Sequence, residues 1–122
     1  MVIHGKERGL LLTVGASVGI AELCPNGDMS RLGEVLSAEN AYGDQVKTIS
    51  KIIIEMNRGF EMSKKFSEPD YIPEIITEEE LLALPPKVFG EFQKEALAAF
   101  KGDTKTTVEV EPSKKNEDVA PL

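Results

Sequence analysis

The chain has 122 residues, 41% of them hydrophobic, which suffices for one modest core, and we expect a single domain with flexible ends. Its formal net charge of −7 disfavours nucleic acid as a partner, because an acidic surface repels phosphate groups. No apolar run approaches the roughly 20 residues of a membrane span, and a single cysteine excludes an internal disulfide. These features predict a cytoplasmic protein.

The first fourteen residues contain two short apolar stretches, residues 2–4 and 10–14. The polar residues 5–9 separate them, with a glycine at each end. This pattern predicts a small hairpin. Residues 10–14 are equally compatible with the start of a buried helix, because periodicity does not distinguish the two over so few positions.

Two short helices are predicted next, around a tight turn. The apolar spacing suits a helix over residues 16–24, which Pro25 ends because proline lacks an amide hydrogen. Asp28 can then cap a second helix through its carboxylate. Its buried side would carry Met29, Leu32, Val35 and Leu36.

The strongest predicted element is a central helix over residues 41–66. Its apolar positions follow alternating steps of three and four, which places them on one stripe widened by Ile52. The stripe consists of Val46, Ile49, Ile53, Met56, Phe60 and Ser63. Gly59 would permit the close approach of a neighbouring segment, because it has no side chain.

A surface connection over residues 67–76 leads to a capping box, in which Thr77 and Glu80 exchange hydrogen bonds with each other's backbone amides. The short helix that follows ends at Pro85. Pro86 suits the first turn of a last helix, because its missing amide has no partner there. One face of that helix carries Phe89, Phe92, Ala96, Ala99 and Phe100.

Gly102 is predicted to end the last helix. Beyond it, residues 104–111 alternate polar and β-branched side chains, which suggests an edge strand beside residues 10–14. We therefore expect a mainly α fold. A small helical domain with a long central helix would occupy residues 1–102, with a short β element at its edge, and a flexible acidic tail would occupy residues 103–122.

No set of residues suited to catalysis is found. The single histidine, His4, lies far from any nucleophile in sequence, and Cys24 lies at a helix end, where the helix dipole raises the pKa of a thiol. Consecutive glutamates at residues 78–80 point apart by about 100° each on a helix, so helix capping explains them better than a metal site. The sequence predicts a protein that is not an enzyme and uses neither cofactor nor metal.

The layout nevertheless resembles a known family. The residues that carry the resemblance are RGLLLTVG at 8–15, IAELCP at 20–25, KIII at 51–54, TEEELLALP at 77–85, FQKEAL at 92–97 and TVEVEP at 107–112. In this order they resemble the tail assembly chaperones of long-tailed bacteriophages and prophages of Gram-positive hosts. The resemblance implies a small helical protein of the host cytoplasm that is absent from the finished virion.

The resemblance also implies the partners, which would be the tape measure protein and the tail tube protein. An acidic protein that presents an apolar surface would mask the amphipathic helices of a tape measure protein while keeping the complex dispersed. Candidate partner-binding residues on the central and last helices are Met56, Phe60, Phe89 and Phe92. The alternatives are a structural phage component, such as a tail terminator or head-tail connector, and a small protein-binding regulator. Association into a homo-oligomer is compatible with each of them.

Overall fold

Helices dominate the part of the chain that the structure describes. The structure is a computed structural model that describes residues 1–110, with side chains for residues 1–101. Its elements are β1 (Val2–Ile3), β2 (Lys6–Glu7), α1 (Val14–Ala21), α2 (Leu32–Val35), α3 (Tyr42–Ser67), α4 (Glu78–Leu82) and α5 (Pro86–Val110). The predicted fold class, mainly helical with a long central helix, is confirmed.

The chain begins with a hairpin that is shorter than predicted. Strands β1 and β2 pair antiparallel, with Val2 opposite Glu7 and Ile3 opposite Lys6. The turn consists of His4 and Gly5, which both have positive φ angles of 50° and 77°. Two such residues suit the twist of a two-residue hairpin turn. The second predicted strand, residues 10–14, is not a strand.

Instead, residues 9–13 run across the middle of α3. The amide of Leu11 donates to the carbonyl of Met56 at 3.0 Å. A β-carbon added at Gly59 would lie 2.5 Å from the carbonyl oxygen of Leu11 and 2.8 Å from Oγ1 of Thr13. Gly59 therefore allows the two backbones to meet, as its place in the sequence predicted.

Helix α1 follows directly and packs against α3. Oγ1 of Thr13 accepts from the amide of Ala16 at 3.1 Å and so caps the helix, which starts two residues before the prediction and ends at Ala21. The predicted cap at Asp28 is confirmed, because its carboxylate accepts from the amide of Ser30 at 3.0 Å. A 3₁₀ turn, Met29–Arg31, lies between Asp28 and α2.

Helix α3 forms the centre of the core, as predicted. Ile49, Ile52, Ile53 and Met56 are buried, and each fully buried side chain of this size contributes about 1.5–3 kcal/mol. The stripe ends before Ser63, which is exposed. The other core residues are Ile3, Ala16, Ile20, Ile76, Leu81, Phe92 and Ala96.

Two buried polar side chains of α3 fix the connection that follows it. Asn57 donates to the carbonyl of Gly9 at 2.9 Å and accepts from the amide of Ile76 at 2.8 Å. The Glu61 carboxylate accepts from the hydroxyl of Tyr71 and, at 2.9 Å, from the amide of Glu74. Residues 71–76 thus pack along α3 without forming a helix or strand of their own.

The predicted end of the last helix at Gly102 is wrong, because α5 continues to Val110. The edge strand predicted over residues 104–111 is likewise wrong for residues 104–110, which are helical. A strand would need a free edge, and residues 10–14 are already held against α3. Extending an existing helix requires no new nucleation, and a glycine such as Gly102 inside it costs only about 1 kcal/mol. Residues 111–122, most of the predicted flexible tail, lie outside the described residues.

We expect Gly59→Ala to lower the free energy of unfolding by about 1–3 kcal/mol, because the new methyl group would force residues 11–13 away from α3. Gly90→Ala in α5 is the matched control, since an added β-carbon there meets nothing within 4 Å. This control should gain about 0.5–1 kcal/mol. Urea unfolding followed by circular dichroism measures both. An equal gain in the two variants would contradict the close crossing.

Asn57→Ala should lower the free energy of unfolding by about 2–4 kcal/mol, because it leaves the carbonyl of Gly9 and the amide of Ile76 without partners. Ser50 provides the comparison, as its hydroxyl is also fully buried in α3 but has no hydrogen-bond partner among the described residues. Ser50→Ala should leave stability unchanged or raise it slightly. Calorimetric unfolding of both variants measures the two changes in stability. Similar losses of stability in the two variants would show that the hydrogen bonds of Asn57 do not stabilise the fold.

Candidate functional site: an apolar groove beside helix α4

A groove of about 440 Å³ lies between the start of α3, helix α4 and the start of α5. Its lining is apolar except for one charged side chain. The lining residues are Tyr42, Gly43, Val46, Lys47, Leu81, Leu82, Leu84, Pro86 and Phe89. A concave apolar surface of this volume is typical of a binding site.

The local sequence explains why apolar side chains remain exposed here. Helix α4 has only five residues, so its leucines cannot all face the core. Leu81 is buried and forms the floor, whereas Leu82 is 53% exposed at the rim. On the opposite wall, Tyr42 is the first residue of α3 and is 74% exposed. The groove therefore has a buried floor and an apolar rim that water contacts.

Helix α4 is fastened to the amino-terminal hairpin by a buried arginine. Arg8 is only 5% exposed, and its guanidinium donates to the Glu80 carboxylate at 2.9 Å and to the Glu74 carbonyl at 2.7 Å. Nε2 of His4 donates to the Glu80 carbonyl at 2.8 Å. Lys6 forms a further ion pair with Glu74. The first eight residues thus hold one wall of the groove in place.

The predicted capping box at the start of α4 is confirmed. The amide of Glu80 donates to Oγ1 of Thr77 at 3.2 Å, and the amide of Thr77 donates to the Glu80 carboxylate at 2.8 Å. The hydrogen bond from the Thr77 amide, followed by the interaction with Arg8, holds the pKa of Glu80 below its usual range. Glu80 therefore both caps α4 and pairs with the hairpin.

Of the four predicted partner-binding residues, only Phe89 lines the groove. Met56 and Phe92 are fully buried, so they belong to the core, and a partner cannot reach them on the folded protein. Phe60 is half-buried, and its ring lies so close to Gly9 that a β-carbon there would be 2.6 Å away. The structure does not bring these four side chains together into one surface.

Sequence reasoning missed Tyr42 and Leu82, the two most exposed apolar residues of the rim. A signal for Leu82 was present, because a short helix that begins with a capping box leaves room for only one leucine on its buried side. Tyr42 gave no comparable signal. It lies one residue inside the predicted start of the helix, where either exposure or burial fits the pattern.

The side chains of Cys24 and His4 each contact a backbone carbonyl. Cys24 is buried, its Sγ lies 3.6 Å from the carbonyl of Ile20, and burial raises the pKa of its thiol. Within residues 1–101, whose side chains the structure describes, there is no cluster of three histidine, cysteine, aspartate or glutamate side chains able to hold a metal ion. No helix in the same range is long and apolar enough to span a membrane.

Comparisons with known protein families, with curated proteins and with solved structures give no significant match to this chain. The groove offers apolar contact area and one charged side chain, Lys47. The residues that line it include no histidine, cysteine, serine or carboxylate.

The Glu80–Arg8 pair predicts a specific pH dependence of stability. Folding lowers the pKa of Glu80, first through the Thr77 amide and then through Arg8, so the ionised carboxylate stabilises the fold above the unfolded-state value of about 4.3. That stability is lost as the pH falls through the folded-state pKa. Glu80→Gln should be about 1–3 kcal/mol less stable than the unmodified protein at about pH 7, and this difference should shrink on acidification.

Chemical denaturation at several pH values between neutral and about pH 3 measures this difference. Glu79→Gln is the matched control, since Glu79 is exposed in the same helical turn and forms no hydrogen bond or ion pair with the described side chains. The control should follow the unmodified protein at every pH. A pH-independent difference for Glu80→Gln would show that its charge does not contribute.

Proposed function

We propose that this protein is a non-catalytic tail assembly chaperone of a long-tailed bacteriophage or prophage, and that it holds amphipathic helices of the tape measure protein in the groove. The observation that carries the proposal is the apolar groove, with Leu82 and Tyr42 exposed at its rim. The resemblance in sequence layout supplies the biological setting. In that setting the protein acts in the host cytoplasm, also contacts tail tube subunits, and is absent from the finished particle.

The physical chemistry of the groove supports a helical occupant. Amphipathic helices bind apolar grooves through side chains spaced three and four residues apart. The rim leaves two large apolar side chains in water, and covering them would contribute to binding through the hydrophobic effect. A tape measure protein is very long, and masking its apolar helices before assembly would prevent their aggregation.

The charge of the protein also supports this role. A net charge of −7 makes copies of the protein repel one another. A long partner that is coated by many such copies would stay dispersed, because each copy covers apolar surface and adds negative charge. This effect requires no catalytic group, in agreement with the lining of the groove.

Leu82→Gln should weaken binding to helical fragments of the tape measure protein about tenfold, because it removes an apolar rim contact worth roughly 1.4 kcal/mol. Isothermal titration calorimetry with overlapping fragments measures this. Ile72→Gln is the matched control, since Ile72 is 79% exposed but lies in the connection after α3, outside the groove. Equal binding by both variants would refute the groove as the binding site.

Mass spectrometry of purified phage particles tests the biological setting separately. A chaperone should be present in infected cells and missing from the particles. Stoichiometric amounts in the particles would refute the chaperone assignment and favour a structural component. The two experiments therefore test different claims. Calorimetry tests whether the groove is the binding surface, and mass spectrometry tests whether the protein is a chaperone.

A further inference from the structure

Charged side chains of opposite sign flank the groove: Lys47 is in its lining on α3, and two glutamates lie beside the lining on α4. On the α3 wall, Lys47 lines the groove, and Lys51 follows one helical turn later on the same side. Both lysines are exposed, and neither forms an ion pair with any of the side chains described for residues 1–101. The α3 wall thus presents free positive charge along its edge.

Helix α4 adds negative charge next to the groove, from residues that are not part of its lining. Glu78 lies one turn before Leu81 and Leu82, and helical geometry places it on the side of α4 between them. Glu79 follows on the exposed side next to Leu82. Unlike Glu80, which pairs with Arg8, these two glutamates have no ionic partner among the described side chains. The carboxylates of this wall are therefore available to a ligand.

We propose that the groove selects an amphipathic helix whose two flanks carry opposite charges, with acidic residues facing Lys47 and Lys51 and basic residues facing Glu78 and Glu79. The inference rests on the proposed function and deepens it by defining the chemistry of the bound segment. Its apolar stripe occupies the groove. The charged flanks fix the direction in which the helix lies, because reversing the helix end to end exchanges the two flanks.

Charge complementarity distinguishes this occupant from others of similar size. An apolar ligand with one anionic group would match Lys47, but it would be repelled by Glu78 and Glu79. A uniformly acidic or uniformly basic helix would oppose one of the two walls. A helix with segregated charges satisfies both walls and leaves none of these charges facing a like charge.

Lys47, Lys51 and Glu79 are exposed and Glu78 is half-buried, so each pair contributes modestly and is screened by salt. We expect the pairs together to change affinity about tenfold at low ionic strength. This effect should be nearly lost at about 1 M salt, where the Debye length is about 3 Å. The apolar contacts should persist at that salt concentration, so binding itself should remain.

The test uses the full chain and two synthetic helical peptides of identical composition. Both carry leucines at positions i, i+3, i+4 and i+7, as in other helices that bind grooves. In the first peptide, glutamates occupy one flank and lysines the other, whereas in the second the same residues are mixed on both flanks. Fluorescence anisotropy at low and high salt gives the affinities. The segregated peptide should bind about tenfold more tightly at low salt only.

Lys47→Glu and Glu78→Lys should each reduce the preference for the segregated peptide severalfold. Lys94→Glu is the matched control, because Lys94 is exposed on α5 and lies outside the groove. It should leave the preference unchanged. Equal affinities for both peptides would overturn this inference while leaving the groove as a binding site. Failure of both peptides to bind would overturn the groove assignment itself.

Discussion

The crossing of residues 9–13 over helix α3 is the constraint on which the rest of the structure depends. Two residues of α3 make it work: Gly59 lets the backbones touch, and Asn57 bonds to the carbonyl of Gly9 on one side and the amide of Ile76 on the other. A buried amide that bridges two separate segments specifies their positions more sharply than apolar packing does, because hydrogen bonds are directional. The hairpin and the connection to α4 are both placed by this contact.

From this crossing the groove follows in two steps. The segment before the crossing holds Arg8 beside Glu80, and the segment bonded to Asn57 leads directly into the capping box at Thr77. Five residues are too few for an independent helix. Helix α4 is therefore held by two polar contacts, the Arg8–Glu80 ion pair and the capping box at Thr77. The proposed binding surface thus includes a short helix that is held in place by polar contacts with the segments before and after the crossing.

Much of this fold could be predicted from the sequence, because the signals are local. The central helix was predicted over residues 41–66 and observed as Tyr42–Ser67, since an apolar stripe that repeats every three to four residues over about five turns is typical of a helix. The capping box at Thr77 and the proline at the start of α5 were also read correctly, because each is a property of adjacent residues. The cap at Asp28 was predicted correctly for the same reason.

The candidate site could not be predicted in the same way, because it depends on which surfaces meet. Periodicity assigned Met56 and Phe92 to apolar faces, but it could not show that neighbouring segments cover both completely. Residues 104–110 alternate like a strand but continue a helix, and residues 10–14, the strand partner expected from the sequence, are held against α3 instead. The resemblance to tail assembly chaperones led only to a proposed role, while the location of the groove required the tertiary structure.

The long sequence separation of the hairpin contacts has a consequence for protein synthesis. Arg8 and Glu80 are 72 positions apart, and the amino group of Met1 contacts Glu95, which lies 94 positions away. The hairpin leaves the ribosome before α4 and α5, so it can dock only after both helices have emerged. Nascent chains that lack α4 therefore have neither the groove nor the polar contacts that hold α4 in place. The groove is thus a product of contacts between distant parts of the chain, and it forms only after residues 1–89 have been synthesised.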